Sequence, residues 1–233
     1  MITDRKVIAW ALYDWANSAW ALSVLAVLFP LFLGSYWSDG DSGSSITARL
    51  GWITAGSNLI VALLAPIFGT IADKGGYRKR FLVILAAIGA LATASLGLVG
   101  KGDWPLALTL YLFASIGFYS STVFYDSLLV DVTPVRNFNF VSSLGFALGY
   151  LGGALLLALH VYMIRSPATF ALGDGNEAIR AAFATVGAWW VIFSIPLVVF
   201  VPEIKRGLVV SHGVIRAAYT ELRRTIGKIR QYR

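Results

Sequence analysis

Six stretches of this chain carry no charged side chain: residues 15–38, 50–72, 81–100, 104–125, 137–164 and 181–202, the shortest of them 20 residues long. A helix rising about 1.5 Å per residue needs about 20 apolar residues to cross a hydrocarbon core of about 30 Å, so each stretch can span a membrane. The stretches are apolar nearly all round, unlike helices packed on a water-soluble core. They also lack the two-residue alternation of a barrel strand. Only 13% of the 233 residues are charged, where soluble domains carry about 25%. The expectation is an all-α membrane protein whose residues 1–206 form six transmembrane helices. Arg5 and Lys6 precede the first apolar run as in a secretory leader, but Asp14 and Asn17 interrupt that run and it is too long, so a retained span is expected. The absence of cysteine excludes disulfides and thiolate metal sites.

The charges between the spans are unevenly shared. Counting alternate sides, Arg5, Lys6, Lys74, Arg78, Lys79, Arg80, Arg136 and the basic residues from Lys205 onward give fifteen on one side, while Arg49, Lys101, Arg165 and Arg180 give four on the other. The positive-inside rule places the first side, with both termini, in the cytoplasm of a cell (inner) membrane protein. The net charge of +7 is thereby a topology signal, and no nucleic-acid partner is needed to explain it. Residues 207–233 differ in kind. Ile215, Tyr219, Leu222, Ile226 and Ile229 recur every three or four residues among Arg216, Arg223, Arg224, Lys228 and Arg230. This pattern predicts a basic amphipathic helix that either lies on the anionic inner leaflet or stands in solvent as a linker.

Polar groups inside a span cost about 2.5 to 3.5 kcal/mol for a central charge, so those that occur need a reason. In span one, Asp14, Asn17, Ser18 and Ala21 share a helical face. A span starting near Val7 would put Asp14 about 10 Å above the cytoplasmic edge. In span four, Tyr111, Ser115, Tyr119, Thr122 and Asp126 form a second polar stripe, with Asp126 about 7 to 8 Å from the same edge. Two carboxylates facing one cavity at similar depth would suit a proton carrier or an ammonium-binding site; the competing reading is that each simply accepts local hydrogen bonds.

Span five carries Gly145, Gly149, Gly152 and Gly153, with Ser142 and Leu156 on the same side, a pattern that lets helix backbones approach closely. His160, towards the external end of span five, is expected to be a hydrogen-bonded interfacial residue, since neither a second span histidine nor a cysteine is available to share a metal. The segment Gly40-Asp41-Ser42-Gly43-Ser44 has the look of a serine-protease nucleophile, but the only histidines, His160 and His212, offer Ser42 no convincing general base. It reads as a flexible Gly/Ser loop. No P-loop is present, and neither cofactor nor metal is expected.

Between spans two and three stands Gly69-x-x-x-Asp73-x-x-Gly76-x-Arg78-Lys79-Arg80. This spacing resembles the loop-two motif of the major facilitator superfamily. Within that superfamily, Tyr13-Asp14-Trp15-Ala16-Asn17-Ser18 resembles the signature of the autophagy-related vacuolar effluxer-like family. Phe124-Tyr125-Asp126-Ser127-Leu128-Leu129, Gly149-Tyr150-Leu151-Gly152-Gly153 and the run from Trp189 to Phe200-Val201-Pro202-Glu203 fit the same family. One departure is Asp126, at a position where the family more often has Asn, so a proton role there does not carry over. The other is length: twelve spans are the superfamily's rule, and this chain holds six.

The resemblance implies the N-terminal half of a major facilitator fold, built as two inverted three-helix repeats with spans one and four lining the path. It implies a secondary active transporter of small solutes, amino-acid efflux among them, working by alternating access. A small-molecule substrate, the lipid bilayer and a second six-span bundle would be its partners. It further implies that Arg78 or Arg80 pairs with Asp131 to close the cytoplasmic side. Proton coupling through Asp14 or Asp126 is an additional expectation. The competing expectation is a non-transporting half, truncated or split, that needs a C-terminal partner. An enzyme is not expected, because no nucleophile, base and metal converge.

Overall fold

The computed structural model describes residues 4–38, 40–74 and 77–204, of which 70–74 as backbone alone. Gly76, the Asp73 side chain and the expected basic helix of residues 207–233 lie outside what is described. The six spans are helices Arg5–Trp37, Gly43–Lys74, Arg78–Leu96, Trp104–Val132, Phe138–Arg165 and Gly175–Phe200. All six are long and apolar enough to cross a membrane.

Local chemistry sets their ends. The Asp4, Asp103 and Asp174 carboxylates accept backbone N–H bonds at the starts of spans one, four and six. Span six stops where Val201 turns extended ahead of Pro202, the conformation that a following proline imposes. The Gly/Ser segment differs from the expected flexible loop: the helix of span two already begins at Gly43, and the Ser42 hydroxyl accepts from the Ser45 N–H at 3.3 Å. Ser42 therefore acts as a helix cap, while Gly40 supplies the positive φ of 86° that brings the chain round.

Span one is irregular. It is α-helical to Ala19, π-helical over Trp20–Leu28, α-helical over Phe29–Phe32 and π-helical again over Leu33–Trp37. Pro30 lies inside it, removing one backbone donor and crowding the preceding turn, which disfavours a continuous α ladder.

Span one packs most extensively on span five and then on span six, span three on spans four and six, and span two on span four. The centre is aromatic: Tyr13, Trp20, Phe29, Phe32, Trp37, Tyr111, Phe124, Phe183 and Trp190 are fully buried. Phe29 stacks on Tyr111 at 3.8 Å and Trp20 on Phe118 at 4.6 Å. Glycines let the helices meet elsewhere. A Cβ on Gly117 of span four would lie 2.7 Å from the backbone of Gly89 in span three.

Candidate functional site

Asp14 is placed by a glycine floor. On span five, a Cβ at Gly145 would come within 2.8 Å of the Trp10 ring, 2.9 Å of the Tyr125 hydroxyl and 3.4 Å of Asp14 Oδ2. A Cβ at Gly149 would come within 2.6 Å of Ser18 Oγ and 3.0 Å of Asp14 Cγ, while Gly152 lies under the Trp15 indole and Gly153 under Leu22 and the Ser18 carbonyl. The small residues bring the two backbones together, and at Gly145 and Gly149 they also leave the volume that the carboxylate occupies. Asp14 is 9% exposed and accepts from the Ser18 hydroxyl at 3.1 Å. Among the described residues no cation pairs with it.

Trp10 and Tyr125 complete the wall. Their rings stack at 4.2 Å, and the Trp10 indole N–H donates to the Tyr125 carbonyl at 3.0 Å. The buried Tyr125 hydroxyl has no hydrogen-bond partner among the described residues. Spacing along the chain could not pair these two residues, because their stacking joins two distant spans.

Among the described residues, the polar faces of spans one and four meet where Asn17 Nδ2 donates to Thr122 Oγ1 at 3.4 Å. The rest of the span-four stripe divides along its length. Tyr111 and Ser115 are buried in the aromatic centre, Tyr119 and Thr122 are half-buried, and Asp126 is exposed. Fifteen residues separate Tyr111 from Asp126, and at 3.6 residues per turn they carry the stripe roughly 60° around the helix. Asp14 and Asp126 accordingly differ in setting, one held beneath span five and the other open.

At the basic end, each cation of the run after span two has its own partner. Arg78 donates to Asp131 Oδ2 at 3.1 Å and to the Ser127 carbonyl at 3.0 Å, and both side chains of this pair are under a tenth exposed. Lys79 Nζ donates to the Val198 and Val201 carbonyls at 3.1 and 2.8 Å, satisfying orphan acceptors at the end of span six. Arg80 instead meets Glu203 at 3.1 Å, in a pair whose arginine is largely exposed. The sequence left open whether Arg78 or Arg80 meets Asp131; in the structure it is Arg78. Lys79 and Glu203 were not foreseen in these contacts. Gly69, at the start of the motif, has open space where a Cβ would stand.

Among the described residues, no group of three or more His, Asp or Glu residues is placed to hold a metal ion.

The profile of a family described as vacuole effluxer Atg22 like matches residues 44–134 and 130–233. YxiO, an MFS-type transporter of Bacillus subtilis (strain 168), is 38% identical over 231 residues, covering 97% of this chain and 53% of that protein. Autophagy-related protein 22 of Eremothecium gossypii is 21% identical over 243 residues, covering 84% of this chain and 46% of that protein. The chain spans about half the length of these curated relatives. Among solved structures, the inward open conformation of the xylose transporter XylE from E. coli matches with a TM-score of 0.60 at 17% identity, over 99% of this chain and 55% of XylE. That likeness concerns the fold: six spans arranged as half of a major facilitator protein.

Proposed function

We propose, from the premise that the chain belongs to the Atg22-like family of MFS-type transporters, that it supplies the N-terminal bundle of a secondary transporter moving small solutes by alternating access. The family is one of multi-pass membrane transporters, not enzymes. The observation that carries the reading is the contact of Asn17 with Thr122 beside Asp14, which joins polar faces of spans one and four within the bundle.

The packing supports two inverted three-helix repeats. Exchanging spans one, two and three for four, five and six turns the one–five contact into four–two and the one–six contact into four–three, and leaves three–six in place. All of these pairs pack. The substrate path runs past Asp14, Asn17, Ser18, Tyr119, Thr122 and Asp126, with the solute's polar groups meeting those side chains. An amino acid or similar metabolite fits that set, its ammonium group answering the carboxylates. The basic end faces the cytoplasm of the cell membrane, and Arg78 with Asp131 holds that side closed.

A second bundle packs against span two in this reading. Only 6% of its most apolar window is buried, against 28 to 44% for the other spans. Its open face mixes Trp52, Leu59 and Leu63 with the exposed amide of Asn58 and with Gly51 and Gly56, where a Cβ would meet nothing. Small residues and an amide suit a helix partner better than lipid alone. The half-length match favours a second reading, in which the chain is silent until such a bundle joins it.

Proteoliposome uptake with the second bundle supplied tests both readings. Transport is expected to respond to a pH gradient and to fall in Asp14→Asn. Uptake indifferent to the gradient, and unchanged by Asp14→Asn and Asp126→Asn, would remove the coupling claim. Uptake by the chain alone, in monomeric form, would remove the need for a partner.

A further inference from the structure

His160 lies in span five, fully buried, with span one on one side of its ring and span six on the other. Its Nδ1 is 3.2 Å from the Ser23 hydroxyl and its Nε2 is 2.9 Å from the Thr185 hydroxyl. The Thr185 hydroxyl gives its own hydrogen to the Ala182 carbonyl at 2.9 Å. It can therefore only accept from the ring, so Nε2 carries the hydrogen and Nδ1 of the neutral imidazole accepts from Ser23. The bonds run in one direction, from Ser23 through His160 and Thr185 to Ala182, and tie three spans together.

Ser23 stands within the π-helical stretch Trp20–Leu28. Helices of this kind occur mostly as single turns and often at functional sites. Nine residues need support from outside their own backbone. Among the described residues, the bond to His160 is the only side-chain hydrogen bond that leaves this stretch. The stretch also separates the Asp14–Asn17–Ser18 face from the opposite end of span one, so its register decides how the two halves are turned relative to each other.

We propose that His160 is a positioning residue for the change of access: its bond with Ser23 holds the π-helical stretch in register against spans five and six, and breaking that bond lets the half of span one beyond Trp20 turn. The step is a switch of hydrogen bonds alone, with no covalent change. It rests on the transporter reading above, and the first readout below is independent of transport.

In the full-length protein in lipid nanodiscs, His160→Ala is expected to speed amide exchange of Trp20–Leu28 by about tenfold or more, leaving spans five and six at the parent rate. His160→Gln, whose amide both donates and accepts, should recover most of the protection, and Thr185→Val should lose part of it. Exchange that rises equally across spans five and six would assign His160 to ordinary packing and overturn the proposal. So would unchanged exchange in His160→Ala, or a glutamine variant no better than alanine. In proteoliposomes the maximal transport rate of His160→Ala should fall or rise by at least about threefold with its apparent KM unchanged. An unchanged rate alongside faster exchange would overturn the access step, whereas failure of the parent protein to transport any solute would count against the transporter reading and leave the exchange result standing.

Discussion

Asp14 and Asp131 are two carboxylates that are both largely covered and have opposite neighbours. Asp131 receives a guanidinium at 3.1 Å at the basic end, and Asp14, among the described residues, receives the Ser18 hydroxyl at 3.1 Å beneath span five. The difference separates structure from service. A buried charge whose counter-ion is built in is fixed, and removing either partner strands the other. A buried carboxylate answered by a hydroxyl has capacity left for a proton or a cation that comes and goes. The glycines of span five keep space for the second kind, and the arginine after span two occupies the space of the first.

The largest effect that sharpens this contrast is expected from Arg78→Ala or Asp131→Asn. Either breaks a charge pair whose side chains are both under a tenth exposed, at a cost of about 3 to 5 kcal/mol. The double replacement Arg78→Met with Asp131→Leu should recover much of that loss in thermal unfolding in detergent, and a double variant no more stable than the singles would deny that the pair acts as a unit. Gly149→Ala comes next. Its Cβ would stand 2.6 Å from Ser18 Oγ and 3.0 Å from Asp14 Cγ, and overpacking of that kind costs about 1 to 3 kcal/mol. Gly51→Ala, with open space around its Cβ, serves as its control and should be neutral or slightly stabilising. Equal melting shifts in the two glycine variants would break the argument that span five reserves room for the carboxylate. The smallest effect belongs to Arg80→Ala, whose own side chain is largely exposed and whose pair with Glu203 is worth about 0 to 1 kcal/mol. A loss as large as that of Arg78→Ala would mean the basic run works as one network.

Much of this was legible in the chain. The charge-free windows located six spans, because a bilayer punishes every misplaced charge and leaves its mark residue by residue. Helix ends were less visible: span two starts at Gly43 because the Ser42 hydroxyl caps it, and a Gly/Ser run reads equally as loop or cap. The polar face of span one pointed to Asp14, Asn17 and Ser18, yet spacing could not say that Asp14 turns towards Gly145 and Gly149 on span five. The span-four stripe looked continuous because three- and four-residue steps approximate a helical turn, but over fifteen residues the mismatch buries Tyr111 and exposes Asp126. The stacking of Trp10 on Tyr125 and the Ser23–His160–Thr185 bridge join residues far apart in sequence and left no local signal. The π-helical stretch had only Pro30 to announce it.

The contrast between the two carboxylates is tested most directly by unfolding Asp14→Asn and Asp131→Asn side by side in one detergent. Asp14→Asn removes a buried charge that no cation among the described residues offsets and keeps an acceptor for Ser18, so its midpoint should equal or exceed that of the parent. Asp131→Asn takes away the negative charge that meets the Arg78 guanidinium at 3.1 Å, so its midpoint should fall by several degrees. Equal falls in both would show that Asp14 is held in place by structure as firmly as Asp131, contradicting the account.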